Sequence, residues 1–321
     1  FLKHDDTVCP GCSTGCNVSL SHYRQVELAD YNGVAYRLRP RVNDEVNQAW
    51  MCDLGRPEYR KINDDRLERP VAHHVDVGWE GITTSLTKVL GPLLGKDGKV
   101  AAIAGYDCTN EEIWALRTLL AELFGTKKIA LLSLRPDGRE DDFLIDADKH
   151  ANRQGTMLVA GKAIAADPVA YLADCEAVIV MGADPAGPHH DSELREAFAA
   201  VRHKIVLSAN TNETTRAATI ALPTGSFAEK DGTWVNRQGR VQRIFRIVRK
   251  RFDARPDLAA LAFMARALGA EWPAEREDAA AVFGLLGQDN DRFAGLDHGS
   301  IGKTGRPLAG KQAATAHRGK A

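Results

Sequence analysis

No stretch of this chain approaches the ~18–20 consecutive apolar residues that a membrane-spanning helix needs, and no secretory leader pattern opens it. Basic and acidic side chains nearly cancel, 42 Lys and Arg against 43 Asp and Glu, which removes the electropositive bias of a general nucleic-acid binder. The chain has neither a G-x-G-x-x-G loop nor a Walker-type glycine–lysine loop, so a nicotinamide or ATP site has no phosphate cradle. Cysteine is scarce, six in 321 residues, which excludes a disulfide-dense secreted module. An initiator methionine is missing too: Phe1 comes first and Cys9 follows closely, so the chain is expected to be a piece of a longer protein.

The few cysteines are concentrated. Cys9, Cys12 and Cys16 form a C-x2-C-x3-C pattern, and Cys52 stands alone downstream. Three thiolates so close in sequence, closed by a fourth from another segment, suit a [4Fe–4S] cluster, which takes four thiolates and leaves no open position. Gly11 and Gly15 let the backbone curl tightly and aim amide N–H groups at sulfur. Zinc is the main alternative, but structural zinc sites pair two short knuckles, or a knuckle with two histidines. Cys108 and Cys175 lie beside apolar strands and read as small buried hydrophobes. Arg39, Arg41 and Arg56 could offset a cluster's negative charge, although ordinary surface arginine accounts for them nearly as well.

The organisation is expected to be a cluster-binding unit over residues 1–70, an α/β unit over 71–252, and short helices with a tail over 253–321. Asn17–Leu20 and Val34–Leu38 suggest a hairpin across Tyr31-Asn32-Gly33. From about residue 80, helices alternate with short apolar strands. Helices are expected over Gly81–Leu94, Asn110–Phe124 (capped by Thr109 or Asn110 and ended by Gly125) and Ser192–Val201. Strands are expected at Val100–Ala104, Lys128–Leu132, Ala177–Met181, Ile205–Leu207 and Ile220–Leu222. Short strands that are apolar throughout predict a doubly wound, mostly parallel sheet covered on both faces. Ligands in such sheets bind beyond the carboxyl ends of the strands, where Asp184-Pro185 and His189-His190 fall; a solvated loop and helix start is the commoner account of these. A second hairpin is predicted around Arg237-Gln238-Gly239. Arginines at 237, 240, 243, 246 and 249, followed by Lys250 and Arg251, could meet phosphate or an acidic partner, but a solvated strand and connector is the plainer reading. Helices are expected over Pro256–Leu268 and Ala279–Leu286, with a disordered tail after Asp297.

The cluster motif, Cys52-Asp53-Leu54-Gly55-Arg56, the Phe143–Asn152 run and above all Phe227–Gln242 resemble the molybdopterin oxidoreductase superfamily. Within it they are most similar to the large G (75 kDa-type) subunit of bacterial NADH:quinone oxidoreductase, respiratory complex I. The resemblance covers residues 1 to about 250. It implies an iron–sulfur subunit of the peripheral arm, with one [4Fe–4S] cluster on Cys9, Cys12, Cys16 and Cys52 serving electron transfer or stability. It further implies partners in the NADH-oxidising and quinone-proximal modules, a place on the cytoplasmic face of the inner membrane, and an upstream ferredoxin-like region. Catalytic relatives bind a pterin dinucleotide with molybdenum or tungsten and carry a lysine two residues after the fourth cysteine. This chain has Leu54 there, shows no recognisable metal-ligand residue beyond Cys108 as a candidate, and carries one sheet unit rather than two. Loss of molybdopterin is therefore expected, with the sheet kept as scaffold. A molybdenum or tungsten enzyme subunit such as a formate dehydrogenase component, and a zinc-bound scaffold, are the alternatives.

Overall fold

The computed structural model describes residues 2–23 and 34–309. A small antiparallel sheet comes first: β1 (Leu2–Val8) pairs with β2 (Asn17–Tyr23), which pairs with β3 (Ala35–Pro40). The expected first hairpin is present as the β2–β3 pairing, with Leu20 opposite Leu38; its turn at Tyr31–Gly33 lies outside the described residues. A helical turn, α1 (Arg60–Asn63), leads to the short strands β4 (Val71–Ala72) and β5 (Val75–Asp76).

The main sheet is then built by alternation. Helix α2 (Gly78–Leu90) precedes β6 (Val100–Gly105), and α3 (Asn110–Phe124) precedes β7 (Ala130–Leu132). Helices α4 (Arg153–Ala160) and α5 (Pro168–Leu172) lead to β8 (Ala177–Met181), α6 (Ser192–Ala200) to β9 (His203–Ser208), and α7 (Glu213–Arg216) to β10 (Ile220–Pro223). The seven strands lie in the order β5-β4-β10-β9-β8-β6-β7, with β10, β9, β8, β6 and β7 parallel and β4 and β5 an antiparallel edge. Strand periodicity feeds two cores. Val100, Ala102 and Ala104 face one with Ile179 and Met181, while Ala101, Ile103, Val178 and Val180 face the other. The doubly wound, two-sided sheet expected from the apolar strands is therefore what forms.

Local chemistry sets the element ends. Thr109 Oγ1 accepts from Glu112 N–H while the Glu112 carboxylate accepts from Thr109 N–H, a reciprocal capping box; Gly125 ends α3 at φ 72°. Helix α2 starts three residues earlier than expected, at Gly78, and gives way after Leu90 to a 3-10 turn over Gly91–Leu93, where Pro92 cannot continue the hydrogen-bond ladder.

The second expected hairpin is β11 (Gly232–Val235) with β12 (Arg240–Ile244). Helices α8 (Asp257–Ala267) and α9 (Ala279–Asp289) bury Leu261, Met264 and Phe283 in the same core as α3. The stretch after Asp297 contributes more structure than expected. Helix α10 (His298–Ile301) is capped by Asp297, and β13 (Arg306–Pro307) adds a third strand beside β12. Ile301 and Leu308, 1% and 2% exposed, anchor it in the core of α3, and pairing with β12 adds to that; two isolated apolar residues in a Gly- and Lys-rich stretch are a weak signal in composition. Residues 310–321 lie outside the described residues.

One buried ion pair joins the amino-terminal segment to the sheet. Arg66 Nη2 lies 2.8 Å from the Glu229 carboxylate, with side chains 1% and 0% exposed. The same guanidinium donates to the carbonyls of Ile62, Ala209 and Thr224. Glu229 also accepts from the Ser226 and Arg251 N–H groups. Removing one partner of such a pair strands a desolvated charge. The variant Arg66→Ala should lose about 3–5 kcal/mol in urea unfolding; a loss below about 1 kcal/mol would show that the pair is not a fixed tie.

Candidate iron–sulfur centre

The structure brings all four predicted cysteines to one small cavity, walled also by Gly11, Met51, Leu54, Gly55, Ile145 and Lys149. Cys9, Cys12 and Cys16 are buried, Cys52 is half-buried, and none is in a disulfide. Their loop closes on itself: Cys9 N–H donates to Cys16 C=O at 2.9 Å, and Gly15 N–H to Cys12 C=O at 3.2 Å. Gly11 N–H points at Cys9 Sγ, 3.4 Å away. Gly55 closes the opposite wall, where an added Cβ would stand 2.9 Å from Cys9 Sγ and 3.6 Å from Cys52 Sγ. No side chain fits there without displacing sulfur.

Electrostatics disfavour bare thiolates at three of the four positions. Burial pushes the Cys9 and Cys16 thiols up, and repulsion adds to it, from Cys16 and Cys12 on Cys9 and from Cys12 and Cys52 on Cys16. Cys52 is raised by burial as well, opposed by backbone N–H groups at Gly55 and Leu54. A set like this is ionised only when a cationic core takes up the charge. The spacing bears on which core. Tetrahedral zinc with Zn–S near 2.3 Å would hold its sulfurs roughly 3.8 Å apart. Among the described residues no three cysteine sulfurs fall within 4.8 Å of one another; the group that does is Asp137, Asp148 and His150. That group already encloses a cation, since Arg153 lies 2.9 Å from each carboxylate and 3.2 Å from His150 Nδ1. The wider cysteine spacing suits a polynuclear core whose metals each take one thiolate.

Residues far away in sequence hold this loop. Asn47, 2% exposed, accepts from Asn17 N–H and donates to Trp50 C=O, so one amide links the residue after Cys16 to the approach to Cys52. Ser13 N–H donates to Asp148 C=O, and Thr14 Oγ1 to Leu144 C=O. The β11–β12 hairpin supplies the rest: Arg237 N–H donates to Ser13 C=O, Asn236 to Thr14 C=O and Gln242 to Gly15 C=O. Gly15, at φ 62°, has room for no Cβ because Gln242 Oε1 would be 2.7 Å from it. Arg135 spans Pro10 C=O, Glu58 and Asp107, joining the cysteine loop to the end of β6. Sequence reasoning missed Asn47, Asn236, Gln242, Arg135 and Lys149. The specific 227–242 run was the available signal, since its polar residues turn out to be tethers.

Other candidates resolve differently. Arg41 is spent on Asp6, Asn17 and the Lys303 carbonyl, while Arg39 and Arg56 stay on the surface. The arginine run is mostly structural: Arg237 pairs with Asp146, Arg240 with Glu45, and Arg243 donates to His298 C=O. Cys108 donates to Met181 C=O and Cys175 to Tyr171 C=O.

A second cavity, about 430 Å³, opens at the carboxyl ends of β6, β8, β9 and β10. Asp184 lines it but is committed to the N–H and hydroxyl of Thr214. His189 and His190 stack on each other outside its wall, both turned to Ser133 C=O. Asp64, Asp65, Asp107, Asp184 and Asp257 face this cavity against Arg60, Lys61 and Lys230. Lys230 is held by Glu112 and Asp257, and Lys61 by Glu58. A wall with that excess of carboxylate does not fit the pyrophosphates of a pterin dinucleotide.

Residues 2–64 match the molybdopterin oxidoreductase Fe4S4 domain, and residues 149–267 match molybdopterin oxidoreductase. The chain thus carries the cluster-type and sheet-type domains of the molybdopterin oxidoreductases. It is similar to the G-type subunit of NADH-quinone oxidoreductase from Rickettsia felis, 35% identical over 130 residues, covering 39% of this chain and 18% of that protein. The corresponding G-type subunit from Pseudomonas putida is 32% identical over 125 residues, covering 38% of this chain and 12% of that protein. The alpha subunit of F420-dependent formate dehydrogenase 2 from Methanococcus maripaludis is 30% identical over 127 residues, covering 39% of this chain and 19% of that protein. The chain therefore spans less than a fifth of the length of these relatives. Among the described residues no helix is long and apolar enough to cross a membrane.

Two expectations follow. Asn236→Ala leaves Thr14 C=O buried and unpaired, at a cost of about 1–3 kcal/mol, and should speed amide hydrogen exchange across residues 12–16; unchanged exchange there would remove the hairpin as a tether. Burial raises the Asp107 carboxyl from 3.8 to about 6, opposed by His150 and the Ala151 N–H. Between those values the folded protein keeps a proton that the unfolded chain has released, so Asp107 makes stability fall as pH rises through that window. Urea midpoints of Asp107→Asn should lack that fall; the same pH slope in both proteins would contradict it.

Proposed function

We propose that Cys9, Cys12, Cys16 and Cys52 ligate one [4Fe–4S] cluster, and that the chain is the cluster-bearing portion of a G-type subunit in the peripheral arm of an NADH:quinone oxidoreductase. The convergence of four unoxidised cysteines on one cavity, with no three of their sulfurs within 4.8 Å of one another, carries the reading. When bound, such a cluster supplies one-electron transfer. The protein's own share is definable. Met51 and Ile145 keep water from the sulfurs, backbone N–H groups at Gly11, Leu54 and Gly55 favour thiolate, and Lys149 and Arg237 bring positive charge to the rim. Residues 1–70 would form the cluster unit, 71–252 the sheet unit with its pterin site lost, and 253–321 a carboxyl-terminal unit. Partners would be the NADH-oxidising and quinone-proximal modules, with the chain peripheral on the cytoplasmic membrane face. The chain alone would catalyse no reaction; its cluster would pass electrons or stabilise the arm.

The formate dehydrogenase relative supports a second reading, a subunit of a molybdenum or tungsten enzyme. Leu54 and the carboxylate-lined cavity count against it.

Cluster and fold are coupled in this reading, because four ligands from two segments converge only in the folded chain and burial disfavours free thiolate at Cys9 and Cys16. Anaerobically purified Cys12→Ala should lose the cluster's visible absorbance and become protease-sensitive within residues 2–64, while the sheet unit persists. A Cys12→Ala protein with full iron and native protease resistance would overturn the ligand assignment.

A further inference from the structure

A groove of about 470 Å³ runs between β3 and the 3-10 turn Arg56–Tyr59. Tyr36, Arg37, Arg39, Arg56 and Tyr59 line it, and no carboxylate does. Among the described residues, neither Arg37 nor Arg39 has a carboxylate within ion-pair distance, and Arg56 meets only the exposed Asp53 at 3.2 Å. The groove begins beside the sulfur site: Arg56 follows Gly55, whose backbone abuts Cys9 and Cys52. Cys52 is the one half-buried ligand candidate, so this is the side on which the centre comes nearest to the surface. Apolar side chains stand out around the cysteine site: Leu54 walls it, and Trp50 precedes Cys52 by two residues. Trp50 is 57% exposed, Leu54 51% and Phe143 58%, with Trp50 and Phe143 packed edge to face at 6.0 Å.

Cations that no buried carboxylate neutralises, beside exposed apolar side chains, over the thin edge of a redox centre, are the elements of an electron-transfer contact. Such contacts are small, steered by charge, and completed by limited apolar burial. The geometry points to this face as the docking site for the acidic face of an electron-transfer protein, with carboxylates meeting Arg37, Arg39 and Arg56 and the apolar edge closing over Cys52. The inference rests on the cluster reading and names its partner's chemistry. An anionic lipid surface would attract the same arginines; what favours an electron-transfer protein is that the groove begins beside Gly55, against Cys9 and Cys52.

The test uses the full chain, anaerobically purified, on gold electrodes carrying carboxylate-terminated monolayers that stand in for the acidic face. Electron paramagnetic resonance of the reduced protein first establishes the cluster. The wild type should exchange electrons with the carboxylate surface, and more slowly at high salt. The triple variant R37E/R39E/R56E, with an unchanged resonance spectrum, should exchange at least ~tenfold more slowly there. Reversal of the exposed Lys127 and Lys162 (K127E/K162E) should have no effect. Equal rates for the triple variant and wild type would overturn the docking face while leaving the cluster reading intact. Absence of any cluster signal in wild type would instead overturn the cluster reading, and this inference with it. Salt-sensitive co-sedimentation with phosphatidylglycerol vesicles that the triple variant abolishes, alongside unchanged electrode rates, would assign the face to lipid and likewise overturn the proposal.

Discussion

Four thiols taken out of water and pressed toward one another are the constraint around which the amino-terminal half is organised. Left alone, Cys9 and Cys16 are biased toward the protonated form, since burial and repulsion from neighbouring cysteines raise both thiols. Ionised without a cation, they would place several negative charges in a poorly solvated pocket. The fold therefore spends polar contacts on geometry rather than on neutralising each sulfur. Every carbonyl from Cys12 to Cys16 has a donor: Gly15 N–H for Cys12, Arg237 for Ser13, Asn236 for Thr14, Gln242 for Gly15 and Cys9 N–H for Cys16. Three of those donors come from a hairpin more than two hundred residues away, so the loop is rigid only when the whole chain is folded.

The parallel sheet is the second half of that arrangement. Its strands present the loops that bear on the cysteine site, through Arg135 after β7 and through the Asp146–His150 segment. In doubly wound sheets the carboxyl ends of the strands are where ligands sit. Here that position keeps a cavity but lines it with aspartates, and its buried lysine is already shared by Glu112 and Asp257. The architecture of a cofactor domain persists, while the charge pattern needed to receive phosphate does not.

Much of this was legible in the sequence for reasons that can be stated. The C-x2-C-x3-C spacing is local, and thiolate chemistry allows few occupants. Apolar strands such as Ala177–Met181 announce burial on both faces, and Thr109 with Glu112 announces a helix start. What the sequence could not disclose is contact across distance. Nothing local marks Asn47 as the link between Cys16 and Cys52, or Gln242 as the partner of Gly15; each is one polar residue among many until the chain folds. The arginine run took the plainer of its two readings, a strand and connector, but its partners were equally hidden: Arg240 is committed to Glu45 and Arg243 to the His298 carbonyl. The residues after Asp297 show no apolar periodicity, yet Ile301 and Leu308 bury themselves in the main core and β13 pairs with β12, neither of which composition announces.

The most direct measurement is elemental analysis of the anaerobically purified chain, reading iron, acid-labile sulfide, zinc, molybdenum and tungsten on one sample. The account predicts about four iron and about four sulfide per chain, as a single [4Fe–4S] cluster requires, with neither molybdenum nor tungsten. One zinc per chain without sulfide would contradict it, because the thiols would then close on a single ion that their spacing disfavours.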